Sequence, residues 1–234
     1  MKRAFFITKR SCVPSPISPA AFSDLSTPMV HYRGMYFHYG QREIEYLQSK
    51  DPRLAEVIDR VGHIHREVDT DLFSSVVHHI IGQQISTKAQ QTIWQRLQDA
   101  LGEVTPLTVV NMPADDLQKL GMSFRKATYI SDFAQKVVSG NFDLARVSEL
   151  SDAEAIRMLV SLKGVGVWTA EMILLFCLQR PDILSYDDLA IRRGMCMVYH
   201  HKTMDRKRFE KYRHRLSPCC SVASLYFWAV AGGA

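Results

Sequence analysis

With 234 residues, 47% of them hydrophobic, the chain can bury one large core or two smaller ones, and its net charge of +5 fits a polyanionic partner without requiring one. No apolar run reaches the 18 positions of a membrane span, and "AFFIT" is too short for a signal peptide, so we expect neither membrane insertion nor export. The five cysteines show no C-x-x-C pair and no zinc-like spacing, which indicates reduced thiols in a cytosolic type of compartment.

Residues 1–35 differ in composition from the rest, with four of the nine prolines, five serines, five Lys or Arg and a single acid, Asp24. Such a segment cannot bury a core, so we expect a disordered N-terminal extension. A misassigned start is a further interpretation, with Met35 beginning the working domain. An organellar transit peptide ranks third, because it shares the basic, acid-poor composition.

From Tyr36 onward, apolar residues recur at helical spacing, and no stretch alternates at period two for long enough to need a sheet. The pattern predicts an all-α fold of about ten short helices with short connections. In chain order the predicted helices are "REIEYLQSKDPRLAEVIDRVG", broken near Pro52, "DTDLFSSVVHHIIGQQ", "STKAQQTIWQRLQDALG", "PADDLQKLG", "RKATYISDFAQKVVSG", "SDAEAIRMLVSLKG", "GVWTAEMILLFCL", "DLAIRRGMCMVYHH", "DRKRFEKYRHRL" and an apolar one through Trp228.

The segment "LVSLKGVGVWTAEMILLFCL" places Gly164 and Gly166 inside a helical pattern. A glycine costs a helix interior roughly 1 kcal/mol relative to alanine, so the pair predicts a turn between two helices. If one helix ends at Leu162 and the next starts near Trp168, main-chain N–H groups stay unpaired at the positive end of a helix dipole, which suits a phosphate oxygen. The two missing Cβ atoms would let a DNA backbone come close, although an ordinary helix–helix corner is the alternative.

Twenty-two residues after Gly166, Asp187 and Asp188 stand in "SYDDLAIRRG", where a helix should begin and where Asp commonly serves as an N-cap. A hairpin that grips a phosphate, followed by an acid at this separation, is more specific than either feature alone. The arrangement resembles the helix-hairpin-helix DNA glycosylase superfamily, whose signature runs Leu-Pro-Gly-Val-Gly, a helix and Pro-x-Asp. Together with "HHIIGQQIS", "LGMSFRKATYI" and "SVASLYFW", the match covers about residues 36 to 234 and looks like the alkylation-repair, 3-methyladenine-type branch.

The resemblance implies a two-lobed helical fold with the hairpin at about 157–178 and DNA against a cleft between the lobes. It further implies a monofunctional DNA glycosylase that flips out alkylated bases and excises them hydrolytically from double-stranded DNA in base excision repair. Lyase-competent relatives carry a lysine where this chain has Trp168, so no strand cleavage is expected. The alternatives are a glycosylase for oxidised or deaminated bases and a noncatalytic helix-hairpin-helix DNA-binding protein.

By the same resemblance, Asp188 is the catalytic carboxylate, which would stabilise positive charge that develops on the sugar. Asp187 is then expected to be a cap or an ion-pair partner. Trp168 and Trp228 are expected to line the base pocket, with Met172 on the same wall, because aromatic faces attract a cationic purine. An ordinary core position is the alternative for both tryptophans.

The DNA-binding set implied by the resemblance comes from the hairpin, a wedge loop and the "SFRK" segment. Its members are Lys163, Gly164, Val165, Gly166, Thr169, Gln84 and Arg125. Gln84 would fill the space left by the flipped nucleotide, with an ordinary loop glutamine as the alternative. Lys163 stands at the hairpin's usual proline position and should face the phosphate, and Ser185 replaces the proline before the acid; both are departures from the signature.

No cofactor is expected, because Cys219 and Cys220 cannot supply the four cysteines of the iron–sulfur members. The resemblance allows a Na⁺ or K⁺ ion at the main-chain carbonyls of Val160, Leu162 and Val165. We expect a monomer that does not associate with membranes and whose partner is double-stranded DNA with alkylated bases. The expected location is the cytoplasm, with the nucleoid, in a prokaryote and the nucleus or an organelle in a eukaryote.

Overall fold

The computed structural model describes residues 36–234, so the extension predicted for residues 1–35 lies outside the described residues. Within 36–234 the regular structure is thirteen α-helices and an isolated bridge between Tyr36 and Glu67, with no strand. The helices are α1 (Gln41–Lys50), α2 (Pro52–Val61), α3 (Leu72–Gly82), α4 (Thr87–Leu101), α5 (Pro106–Val110), α6 (Ala114–Lys119), α7 (Phe124–Val138), α8 (Leu144–Glu149), α9 (Asp152–Val160), α10 (Val167–Phe176), α11 (Leu189–Tyr199), α12 (Arg206–Leu216) and α13 (Cys220–Gly232).

The all-α prediction is confirmed, and the helix count rises above the expected ten for two reasons. The pattern near Pro52 is two separate helices, because Asp51 caps α2 through hydrogen bonds from the N–H groups of Arg53 and Leu54. The sequence pattern also misses α5 and α8, which have five and six residues. Helices this short complete fewer than two turns, so their apolar residues cannot display a period.

Helix packing separates the fold into two groups. Helices α3 to α10 pack on one another, while α1, α2 and α11 to α13 form the second group. The buried side chains of both groups belong to one continuous hydrophobic cluster. Consecutive helices α10 and α11 belong to different groups, so the segment 177–188 crosses between them. The two groups meet at the start of α11, and whether they form the two predicted lobes stays a prediction.

A close approach between α11 and α13 sets the geometry at that junction. A Cβ atom added to Gly194 would lie 2.0 Å from the main-chain oxygen of Phe227. Only a residue without a side chain lets the two backbones come this near. The contact holds α13 against α11 next to Trp228, which is the side chain that α13 contributes to the site described below.

None of the helices in residues 36–234 combines the length and the apolar character that crossing a bilayer requires.

We expect Gly194→Ala to lower the free energy of unfolding by about 3 kcal/mol or more, because a backbone oxygen cannot move aside for a methyl group. For a chain of this size the loss corresponds to a fall in Tm of roughly 5 to 10 °C in a thermal unfolding experiment. Gly232→Ala is the matched control, since a Cβ at that helical position meets nothing within 4 Å. A Tm for Gly194→Ala equal to that of the control would show that α11 and α13 do not pack as described.

Candidate active site

Asp188 begins α11 and is almost fully buried, at 7% exposure. Its Oδ1 atom accepts a hydrogen bond from the N–H of Ile191 at 2.8 Å, so the side chain is the N-cap of the helix. The capping role and the proposed catalytic role therefore belong to the same carboxylate. Asp187, which we expected to be a cap or an ion-pair partner, is exposed, does not cap α11 and forms none of the ion pairs found within 36–234.

Two indole N–H groups hold the Asp188 carboxylate from opposite sides of the junction. Trp168, on α10 of the first helix group, donates from Nε1 to Oδ2 at 2.9 Å. Trp228, on α13 of the second group, donates from Nε1 to Oδ1 at 3.2 Å. The structure thus brings together three residues that are 20 and 40 positions apart in the chain.

The pattern of donors leaves one defined acceptor position on the carboxylate. A carboxylate has about four lone-pair sites. Oδ1 accepts from Ile191 and Trp228, while Oδ2 accepts only from Trp168. The remaining lone pair is on Oδ2, and three hydrogen bonds prevent the group from rotating. Asp188 is therefore a fixed carboxylate, and one acceptor position of Oδ2 has no hydrogen-bond partner within 36–234.

The residues predicted to line the base pocket differ in their solvent exposure. Trp168 is 39% exposed, whereas Met172, one turn later on α10, is 3% exposed. The half-buried ring of Trp228 stacks on Phe176, with 5.4 Å between centroids and 28° between the ring planes. The guanidinium of Arg66 lies over the Phe176 ring at 4.7 Å. Sequence reasoning missed Phe176 because it reads as one more apolar residue at the end of a helix.

The hairpin lies where the glycine pair predicts it. Helix α9 ends at Val160, two residues earlier than expected, and α10 begins at Val167. Gly166 is the N-cap of α10, and no side chain caps the helix. A Cβ atom added to Gly166 would meet nothing within 4 Å, so this corner is open on its outer side. The first N–H groups of α10 are thus available to an anion.

Gly164, the other glycine of the pair, does not provide the open backbone surface that we expected. Gly164 adopts φ +85°, the left-handed region that favours glycine, and a Cβ there would lie 2.3 Å from Cδ2 of Tyr129. The side of Gly164 on which a Cβ atom would lie therefore faces a tyrosine of α7 and is not available to a DNA backbone. The expectation that both missing Cβ atoms admit DNA is wrong for Gly164.

Three further hairpin residues can be placed. The side chains of Val165 and Thr169 are buried, so a contact of either residue with DNA would use main-chain atoms. Lys163 is 61% exposed in its side chain and pairs with Asp132 of α7 at 3.1 Å. Direct contact of these residues with DNA stays a prediction.

The carbonyls predicted to hold Na⁺ or K⁺ fit such an ion in chemistry, because hard cations prefer oxygen ligands. The Leu162 oxygen already accepts the N–H of Val165 at 3.2 Å, which leaves it one further lone pair. Cation binding at Val160, Leu162 and Val165 also stays a prediction.

Sequence reasoning missed Glu171, which is a half-buried acid close to the site and whose Oε2 atom is buried. It lies one turn after Trp168 on α10, and its Oε2 atom has no hydrogen-bond partner within 36–234. Burial raises the pKa of Glu171, with a further rise from Asp187, while the Ser185 hydroxyl and the charges of Arg206 and Arg213 oppose the shift. Ser185, where the family signature has proline, is itself fully buried, and its hydroxyl also makes no hydrogen bond of normal geometry.

A cavity of about 470 Å³ lies at the other end of α11. Its lining includes Asp51, Tyr199, Tyr212 and Arg215, none of which the sequence pattern assigns to a site. Asp51 binds Arg215 at 2.9 Å and the two tyrosine rings stack at 3.8 Å, so much of the lining is engaged in contacts within the protein. An eleven-residue helix of about 16 Å separates this cavity from Asp188.

A glycine hairpin without a side-chain cap and an acid held at the start of a helix are the two features on which the resemblance to helix-hairpin-helix proteins rests. Residues 77–219, more than half of the chain, match the model of the HhH-GPD superfamily base excision DNA repair proteins, and the chain belongs to this superfamily. The resemblance stated from the sequence is confirmed.

Relatives and solved structures agree with this placement. A DNA-3-methyladenine glycosidase structure from Bacillus halodurans is 31% identical, with a TM-score of 0.76 over 85% of this chain and 93% of that one. The 3-methyladenine DNA glycosylase Mag1 of Schizosaccharomyces pombe, in complex with abasic DNA, is 25% identical, with a TM-score of 0.74 over 83% and 98%. The putative DNA-3-methyladenine glycosylase YfjP of Bacillus subtilis is 27% identical over 69% of this chain, which spans 59% of that protein's length.

We expect the stability of the protein to fall as the pH rises through the raised pKa of Glu171. Between the ordinary value near 4.5 and the raised one, the folded state retains a proton that the unfolded state loses, so unfolding becomes easier with increasing pH. Glu171→Gln removes this dependence, and its Tm relative to wild type should increase between pH 5 and pH 8.

Glu154→Gln is the matched control for this measurement. Glu154 is exposed, and its pKa is lowered, chiefly by hydrogen bonds from Ser151. The stabilisation that Glu154 provides is lost only at acid pH, because its pKa in the folded state lies below the ordinary value. The Tm difference between Glu154→Gln and wild type should therefore stay constant between pH 5 and pH 8. Parallel curves for Glu171→Gln and wild type would contradict the description of Glu171.

Proposed function

We propose that the protein is a monofunctional DNA glycosylase that flips out alkylated bases of the 3-methyladenine type and excises them hydrolytically from double-stranded DNA in base excision repair. The observation that carries the proposal is the Asp188 carboxylate, buried and fixed by two indole N–H groups and one main-chain N–H, with one lone pair of Oδ2 left over. The names of the relatives support the reaction and the substrate class.

A fixed carboxylate suits the chemistry of base removal. Breaking an N-glycosidic bond develops positive charge on the sugar, as in glycoside hydrolysis. Asp188 cannot turn away from that charge, so it stabilises the transition state without reorganising. Its free Oδ2 lone pair is also able to orient the attacking water. An alkylated purine already carries positive charge and leaves without a strong acid, so a single carboxylate is sufficient.

The aromatic residues beside Asp188 suit the base that is removed. A damaged base must leave the stack before its glycosidic bond can be reached. Trp168 is 39% exposed while its indole N–H donates to Asp188, and we propose that its ring face stacks on the flipped base. A cationic purine over such a ring gains about 0.5 to 2 kcal/mol. Trp228, backed by Phe176, would provide the facing side of the pocket.

The same geometry disfavours a lyase reaction. A lyase forms a Schiff base through an amine near the sugar. By the family resemblance, Trp168 stands where lyase-competent relatives carry that amine, and an indole cannot form a Schiff base. The protein would therefore release the base and leave an intact abasic strand.

DNA binding would depend on backbone contacts rather than on base sequence. The open N–H groups at the start of α10, with Lys163 and Arg125, would bind phosphates. Gln84, exposed at the tip of its loop, would enter the duplex and face the base opposite the lesion. We propose further that the protein acts as a monomer in the compartment that holds the DNA, and that the hairpin carbonyls accept Na⁺ or K⁺ there.

We expect Asp188→Asn to slow base release by roughly 100-fold or more in single-turnover assays on methylated duplex DNA, because the loss of one electrostatic stabiliser costs about that much. Free bases would be separated by chromatography and counted. Asp187→Asn, one residue away and exposed, is the control and should stay within about twofold of wild type. Equal rates for Asp188→Asn and wild type, or equal losses in both variants, would refute the assignment.

We expect no covalent trapping when wild type acts on methylated duplex DNA in the presence of sodium borohydride, because no amine attacks the sugar. The DNA should keep its full length until hot alkali cleaves it at the abasic site. A borohydride-dependent protein–DNA adduct would show that the enzyme is a lyase.

A further inference from the structure

The loop that carries Gln84 is held in an unusual backbone conformation. This wedge loop, residues 83–86, connects the C-terminus of α3 to the start of α4. Gln84 has φ +57°, in the left-handed region that residues with a side chain adopt rarely. Such a conformation persists only where the surroundings enforce it. Two other segments of the chain hold the residues next to Gln84.

One of these contacts is the ammonium group of Lys126 on α7. Its Nζ atom donates to the main-chain oxygen of Ile81 at 2.8 Å and to that of Gln83 at 2.7 Å. These oxygens lie at the negative end of the α3 dipole, which favours a cation. Burial lowers the pKa of Lys126, and the residue forms none of the ion pairs found within 36–234. Lys126 therefore directs its charge into the protein, onto the base of the wedge loop.

The second contact joins the wedge loop to the hairpin. The side-chain amide of Gln83 donates from Nε2 to the main-chain oxygen of Gly164 at 2.7 Å. Gly164 is the residue that packs on Tyr129, three positions after Lys126 on α7. Wedge loop, hairpin and the first turns of α7 thus meet around one point. Arg125, the neighbour of Lys126, is exposed on the outer side of α7.

We propose that Gln83 and Lys126 are positioning residues that fix the wedge loop to the phosphate-binding hairpin, so that gripping the DNA backbone places Gln84 for insertion. The inference rests on the proposed DNA-binding function and extends it to two residues without assigned roles. A rigid connection matters here, because displacements of about 1 Å at a site can cost two orders of magnitude in rate. Arg125 and Lys126 are then adjacent cations with different tasks, phosphate binding and loop positioning.

The test uses a duplex in which 2-aminopurine lies opposite a tetrahydrofuran abasic analogue, so that insertion is read from fluorescence without any base release. Lys126→Met and Gln83→Leu should each slow the stopped-flow insertion phase by about tenfold or more. Lys126→Arg should restore it, because a guanidinium also donates to two carbonyls. Lys119→Met, at an exposed lysine of α6 that is ion-paired with Asp116, is the control and should change neither insertion nor affinity.

The salt dependence of affinity separates positioning from direct phosphate contact. Removing a phosphate contact lowers the slope of log K against log salt concentration by about one. Arg125→Ala should show this decrease, whereas Lys126→Met should retain the wild-type slope. A reduced slope together with normal insertion in Lys126→Met would make Lys126 a phosphate ligand and overturn the inference.

Gln83→Leu keeps both Lys126 bonds, so a defect in this variant cannot come from a frayed end of α3. Wild-type insertion by folded Gln83→Leu, with an unchanged Tm, would overturn the inference as well. If wild type inserts but releases no base from methylated DNA, the proposed activity fails while the positioning role stands.

Discussion

The whole site depends on one buried charge that two helix groups share. The Asp188 carboxylate caps α11, accepts from Trp168 of the first group and accepts from Trp228 of the second. A buried carboxylate is costly unless hydrogen bonds replace its lost water, and here three N–H groups do so. Because the donors come from separate groups, the acid is correctly held only when both groups are docked. Folding and the assembly of the site are the same event.

The glycine hairpin is the second part of the candidate site, and its two glycines have different structural roles. Gly166 leaves the start of α10 open to an anion, while Gly164 turns inward and receives the ring of Tyr129 and the amide of Gln83. One face of the turn is thus free for DNA, and the other is bound to the body of the protein. The helix whose N-terminus we propose to bind a phosphate also carries Trp168, which donates to Asp188. The proposed phosphate site and this donor therefore lie within one turn of α10.

Sequence reasoning could reach those parts of the site that local rules encode. The glycine pair signals a turn, and an acid at the start of a helix signals a cap. The choice of Asp188 as the functional acid rests on the family resemblance, because spacing alone also allows an ordinary cap. The hydrogen bonds from the indole N–H groups of Trp168 and Trp228 to Asp188 could not be predicted. Periodicity shows that a residue is apolar, but it does not show which helix the residue will contact. Gln83 and Glu171 escaped for the same reason: their roles arise from segments that join only in the folded chain. Gly164 was assigned wrongly because glycine meets two different needs in this hairpin. At Gly166 the missing Cβ leaves space at the surface, whereas at Gly164 it allows a positive φ and close packing on Tyr129.

We expect the indole N–H groups to act on base removal through Asp188, and a double-mutant cycle measures this coupling most directly. Trp168→Phe keeps an aromatic ring and removes the donor to Oδ2, so single-turnover excision of methylated bases should slow by about tenfold or more. When Asp188→Asn is already present, adding Trp168→Phe should slow the reaction little further, because residues that act as a unit are not additive. If the double variant loses rate by the product of the two single-variant factors, Trp168 does not act through Asp188.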